Sequence, residues 1–245
     1  MSLPIINQPT YELTLPSTNK KLRFRPFLVK EEKILLMAQE GGDIDEQIES
    51  VKQIVRNCIV TDVNIDSLST FDIEYLFIKI RSKSVGNIIN LNYKFDNCTA
   101  DLNDDSKVPR ICEVPFELDL DDVVVKSEGD HNNIINITDD VGVVMKYPDF
   151  KLLSKIASMN DYDELIDVVG NCVKMIFMGE ETYDPSEYKT DELRNFFESL
   201  SQEQFAKISN FFETMPQTMS VVNIQCKKCG KMENIELKGI SDFFD

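Results

Sequence analysis

Thr70-Phe-Asp-Ile-Glu-Tyr-Leu-Phe-Ile-Lys-Ile-Arg-Ser-Lys-Ser-Val-Gly-Asn-Ile-Ile-Asn-Leu-Asn-Tyr-Lys-Phe95 changes its periodicity midway. Before Gly86, the apolar residues Ile73, Leu76, Phe77 and Ile80 recur at three- and four-residue intervals, the mark of one buried helical face. Ser69-Thr70 supplies the start, because a hydroxyl there accepts from backbone amides that have no partner inside the helix. From Ile89 onward the pattern alternates instead, as in a half-buried strand. One stretch therefore holds both kinds of element, joined at a glycine.

The flanks extend this mixture. Residues 10–16 and 21–25 alternate apolar with polar, and Pro16-Ser-Thr-Asn between them predicts a hairpin. A helix is expected from about Lys30 to Gln39, stopping at Gly41-Gly42. A second follows, with Ile44, Ile48, Val51, Val55 and Cys58 on one face. Downstream, Val114-Pro-Phe-Glu-Leu-Asp-Leu120 alternates like a strand, separated from Phe95 by the polar loop Asp101-Leu-Asn-Asp-Asp-Ser-Lys107. Short strands are expected at 132–137 and 141–146, then helices at about 149–159, 161–177, 190–199 and 202–213, with a loop from Gly179 to Thr190. Val221-Val-Asn-Ile-Gln225 and Asn234-Ile-Glu-Leu237 read as two strands around a turn. The fold class is α+β: a helical body with a central antiparallel β insertion and a C-terminal zinc-ribbon-like hairpin. The regions are 1–86 (N-terminal hairpin plus helices), 87–147 (β-rich insertion), 148–217 (helical) and 218–245 (CxxC hairpin and tail).

Composition bounds the function. The 245 residues are 42% hydrophobic, enough for a sizeable core, and folding at this length buries roughly 70–75% of the unfolded chain's surface. Forty-three acids against 26 Lys and Arg give a formal charge of −17. A surface of that sign repels phosphate, which argues against nucleic acid and anionic membrane as partners and favours basic faces of other proteins. Neither a signal-like apolar run nor a stretch near the roughly 20 residues of a membrane span is visible, so the expected compartment is the cytosol, where thiols stay reduced.

The six cysteines sort by setting. Cys58 and Cys172 lie on apolar helical faces and read as core thiols. Cys226-Lys-Lys-Cys229-Gly230 has zinc-knuckle spacing: two thiolates three residues apart can take adjacent corners of a tetrahedron, and glycine permits the tight turn. Cys98 and Cys112 form no second knuckle, and Phe95 stands where a CxxC partner of Cys98 would be. Both nevertheless flank the loop of the expected hairpin, so Cys98, Cys112, Cys226 and Cys229 are the candidate ligands of a structural zinc. The alternative is a degenerate ribbon whose turn survives without metal.

Other chemistry is thin. Asp62-Val-Asn-Ile-Asp66 and Asp101-Leu-Asn-Asp-Asp105 open like EF-hand loops, but position six is serine in both and position twelve is Ile73 or Cys112 rather than Glu. The single histidine, His131, lies in the turn-like Gly129-Asp-His-Asn-Asn and is expected to be solvated. No nucleophile elbow, phosphate loop or dinucleotide fingerprint occurs. The chain reads as a non-enzyme without catalytic residues.

Leu22-Arg-Phe-Arg-Pro-Phe-Leu-Val-Lys-Glu-Glu-Lys-Ile-Leu-Leu-Met-Ala38 resembles the opening segment of the T4-type phage baseplate family. Met145-Lys-Tyr-Pro148 and the ending Leu237-Lys-Gly-Ile-Ser-Asp-Phe-Phe244 are similar to its later segments. The family includes a baseplate hub subunit and a hub assembly catalyst. The resemblance implies a hub component or hub assembly factor that binds other tail and baseplate proteins, in the host cytoplasm during assembly or in the virion. A transient tail chaperone and a metal-dependent enzyme are the alternatives. The strongest local match surrounds Arg23 and Arg25, which stand out in an acidic chain and are the expected partner-binding residues.

Overall fold

The structure is a computed structural model describing residues 6–41, 44–95, 111–149, 152, 162–240 and 242. It mixes helices with antiparallel strands throughout. Strands β1 (Tyr11–Thr14) and β2 (Lys21–Phe24) form the expected hairpin, Tyr11 opposite Phe24. Its turn closes through Leu15 N to Lys20 O (2.8 Å) and Asn19 N to Leu15 O (2.9 Å), with Asn19 at φ 55°, a left-handed conformation that asparagine tolerates.

Helices α1 (Val29–Gly41), α2 (Ile44–Cys58) and α3 (Thr70–Val85) follow. Leu22 and Phe24 of the hairpin, Val51, Ile54, Val55 and Cys58 of α2 and Ile73, Leu76, Phe77 and Ile80 of α3 share one apolar cluster. These are the faces that the helical spacing marked. Gly86 ends α3 at φ 110°, where a side chain would be strained, and β3 (Ile88–Phe95) begins two residues later.

β3 pairs with β4 (Cys112–Asp119) in an unbroken register from Ile88↔Asp119 to Phe95↔Cys112. The loop expected between them lies outside the described residues. A three-stranded sheet, in the order β11-β10-β5, combines β5 (Val124–Lys126) with the C-terminal strands β10 (Gln217–Gln225) and β11 (Met232–Lys238). Ile89, Leu118, Leu120, Val123 and Leu237 pack with Ile78 of α3, joining both sheets to the helices.

The remaining strands form a meander, β6 (Ile134–Asn136), β7 (Val141–Met145), β8 (Val173–Met178) and β9 (Glu181–Tyr183). Two expectations are corrected here. The helix expected over 161–177 is α4 (Tyr162–Asn171), which stops there, and the segment after it is strand β8. Val173, Ile176 and Phe177 are β-branched or aromatic and pair with β7, so pairing overrides the continued helical spacing of Cys172 and Ile176. The loop expected from Gly179 to Thr190 contains β9 and a short 3-10 turn at Pro185–Glu187. The helix expected at 149–159 falls almost wholly outside the described residues.

Helices α5 (Thr190–Glu198) and α6 (Gln202–Thr214) then cover the meander. Ser201 caps α6 reciprocally: its hydroxyl accepts from Gln204 N at 3.3 Å and its amide donates to Gln204 Oε1 at 2.8 Å. Ile137, Val143, Ile166, Val169, Phe197, Ile208 and Phe211 belong to a second large core, which joins the β6–β7 hairpin to α4, α5 and α6.

Candidate functional site

The two arginines of β2 and the residue that follows it have different tasks. Arg23 is exposed, and its backbone is hydrogen-bonded: the amide donates to Thr61 Oγ1 at 2.8 Å and the carbonyl accepts from Val60 N at 2.8 Å, while its guanidinium lies near Glu12, opposite it on β1. Val60 beside it is half exposed. Arg25 turns inward, its side chain 19% exposed. It donates to Pro26 O at 2.9 Å, Asn57 O at 2.9 Å and Glu31 Oε1 at 3.0 Å. Arg25 thereby ties the end of the hairpin to the start of α1 and the end of α2.

Glu31 is fully buried. It is the third residue of α1 and accepts from Leu28 N at 2.8 Å, the return half of a capping box. Burial alone would raise its carboxyl, but the Arg25 guanidinium and the Leu28 amide outweigh that and hold it below the usual range. Cys58, 3.8 Å from Arg25, is a core thiol that burial pushes up to about 11. Cys172, likewise buried, is pushed up to about 12. Neither thiolate is available for chemistry near neutral pH.

The candidate zinc ligands come together in part. Cys112 of β4 and Cys226 at the end of β10 are buried in one cluster with Phe95, Val114 and Ile224, and Cys229 packs against it. The turn has the expected shape: Gly230 N donates to Cys226 O at 2.8 Å, Cys226 N donates to Lys231 O at 2.8 Å, and Gly230 sits at φ 77°. Phe95 is fully buried beside Tyr93, their rings 4.9 Å apart. The Tyr93 hydroxyl donates to Glu233 at 2.6 Å and closes the two hairpins over the cluster. Cys98 lies outside the described residues. Among the described residues no three Cys, His, Asp or Glu side chains form a group that could hold a metal ion.

His131 is not the solvated loop residue expected. Its ring stacks on Tyr147 (centroids 5.6 Å apart) and packs against Phe211 (4.9 Å), with Nδ1 3.0 Å from Thr214 Oγ1. Nε2 is buried with no hydrogen-bond partner among the described residues, and burial lowers the ring's pKa. The residue packs α6 against the loop before β6.

Sequence reasoning missed three polar anchors. Glu31 left a signal, its place three residues after the helix cap. The Lys79 ammonium reaches Leu120 O at 2.8 Å and Asp121 O at 3.0 Å, and buried Lys52 pairs with Asp66 at 2.7 Å. Their partners are set by tertiary packing, which no local pattern announces. No helix among the described residues is long and apolar enough to cross a membrane.

Residues 8–245 match the family model described as T4 bacteriophage base plate protein. Over 235 residues the chain is 20% identical to the "Baseplate hub assembly protein gp26" of Enterobacteria phage T4, covering 96% of this chain and 98% of that protein. No solved structure matches. The matched span runs from the N-terminal hairpin through the last strand, and the chain therefore belongs to the T4 bacteriophage base plate protein family.

Proposed function

We propose that this protein is a baseplate hub component or hub assembly factor that acts by binding other baseplate proteins rather than by bond chemistry. The observation that carries this reading is the family match over residues 8–245. The surface supports it. Val29 and Leu36, seven residues apart on α1, share an exposed apolar face, and Met37 adjoins it. Arg23 of the hairpin and Val60, just after α2 beside it, offer a cationic and apolar patch. Arg25 is occupied internally, so partner docking is assigned to Arg23. With a formal charge of −17, basic faces of tail proteins are the natural complement.

The relative's printed name speaks of hub assembly, which favours a factor that holds a partner in its binding-competent form and so removes the cost of populating it. Mass spectrometry of purified virions separates the two roles. Stoichiometric peptides identify a resident hub component of the tail. Their absence, with co-purification of a tail protein from infected cells, identifies an assembly factor that works in the host cytoplasm. Absence from both sinks the reading.

The Cys226–Cys229 turn is proposed as one side of a structural zinc clasp, with Cys112 and Cys98 as the other ligands. Supporting it is the glycine-closed turn between Cys226 and Cys229; Cys112 shares their apolar cluster but does not by itself complete a metal-holding group with them. A Cys-only site is closed, so such a metal would brace the hairpins and leave no position for substrate.

A further inference from the structure

β10 is nine residues long, but its neighbour β5 covers only the first three, Gln217–Met219. The preceding chain leaves this edge at Val123, which turns into the core. From Ser220 to Gln225, β10 is hydrogen-bonded to β11 on one side and to no strand on the other among the described residues, although β4 of the neighbouring sheet packs nearby. Natural sheets blunt such edges with lysines, prolines or bulges, because a bare row of backbone donors and acceptors recruits other chains. Ser220-Val-Val-Asn-Ile-Gln225 has no charge and no proline, and its register against β11 runs without a bulge. The opposite edge is guarded. β11 carries Glu233, Glu236 and Lys238, and Lys238 is paired with Glu128 and Glu236 at 3.1 Å each.

Beside the open stretch lies a cavity of about 440 Å³ between β10 and β4, lined among others by Glu117, Asp119, Asp122, Lys126, Val221 and Asn223. Three carboxylates face one ammonium, and Val221 is 53% exposed. We propose that this edge accepts an extended, Lys- or Arg-bearing segment of another baseplate protein as an added strand. Main-chain hydrogen bonds to β10 would supply affinity, and the acidic flank would select a cationic segment. Six residues span roughly 20 Å, a normal strand length. A second copy of this chain is the poorer occupant, since its net charge is −17. The inference rests on the protein-binding reading above and adds the place and chemistry of the contact.

Hydrogen exchange on the full chain tests it, alone and in the complex it forms with co-expressed hub proteins of its phage. The expected result is at least tenfold slower exchange in the complex for those amides within 220–225 that point away from β11; in the chain alone these edge-facing amides exchange fast, while their neighbours bonded to β11 are already protected. Val221→Lys, which installs an edge guard at an exposed position, should weaken the complex at least tenfold while the melting curve is kept. Charge reversal at Glu117 and Asp122 should weaken it as well. If no complex forms with the parent chain, the protein-binding reading itself fails. If the complex forms with unchanged exchange in 220–225, or survives Val221→Lys intact, or tightens on charge reversal, the edge proposal is overturned. Protection in the chain alone that grows with its concentration would assign the edge to a second copy and overturn it too.

Discussion

The Arg25 guanidinium donates to the fully buried carboxylate of Glu31 at 3.0 Å and so fastens the N-terminal hairpin to the first turn of α1. Removing one partner of such a pair is costly because the other is left charged and desolvated. Arg25→Met is expected to cost about 3 kcal/mol in chemical denaturation. Arg23→Met, at an exposed position, should stay within about 0.5 kcal/mol. The double change Arg25→Met, Glu31→Gln should cost less than the sum of its parts. Equal effects of Arg23→Met and Arg25→Met would contradict the assignment of the two arginines. The low pKa of Glu31 has a definite sign: this stabilisation is present above the ordinary carboxylate range and is lost as pH falls through the folded value.

His131 makes a separate prediction about pH. Burial between Tyr147 and Phe211 lowers its pKa from the ordinary 6.5, so the unfolded chain binds the proton more readily than the folded one. Stability should therefore fall as pH drops below about 6.5, as the ring of the unfolded chain gains its charge. Urea midpoints at pH 7.5 and 5.5 should differ more in the parent than in His131→Gln. The same difference in both proteins would show that the ring does not carry this dependence.

Gly142 of β7 lies opposite Asn136 of β6 on one side and Phe177 of β8 on the other. A Cβ there would lie 2.6 Å from Ile135 O and would overlap the Phe177 ring. Gly142→Ala is expected to destabilise by about 2 kcal/mol, in the range seen when packed interiors are overfilled. Trimming Phe177 to leucine in the same chain should restore part of that loss and leave the clash with the Ile135 carbonyl. A neutral Gly142→Ala, read by thermal melting, would contradict the close approach.

The cysteine turn is tested by metal analysis. With a zinc clasp, the purified parent carries about one zinc per chain, Cys226→Ser carries less, and chelation lowers the melting temperature. Cys172→Ser, in a different core, should leave the metal content unchanged. Equal zinc in parent and Cys226→Ser would end the proposal.

The parts of the fold that local pattern could show were those where one chain segment sets its own structure. The switch at Gly86, the β1–β2 hairpin and the α2 face are of this kind, since spacing and glycine act over a few residues, whereas the Ser69 hydroxyl makes no cap hydrogen bond to α3. The misread strand β8 is the opposite case. Leu165, Val169, Cys172 and Ile176 keep helical spacing, but a partner 33 residues earlier, Val143, captured the last of them, Ile176, into a sheet. His131 was misjudged for the same reason, because the rings that bury it come from Tyr147 and Phe211. The tight turn from Cys226 to Gly230 was legible, while the inward direction of Arg25 depended on Glu31 and Asn57 and was not.

The central claim, binding to other baseplate proteins, is tested most directly by affinity purification of the tagged chain from infected cells at intermediate times. The account predicts that one or more hub proteins co-purify in fixed stoichiometry, survive gel filtration with the chain, and are lost on Arg23→Glu in a variant that still melts cooperatively. A folded chain that elutes alone, with no baseplate protein at any time in infection, would contradict it.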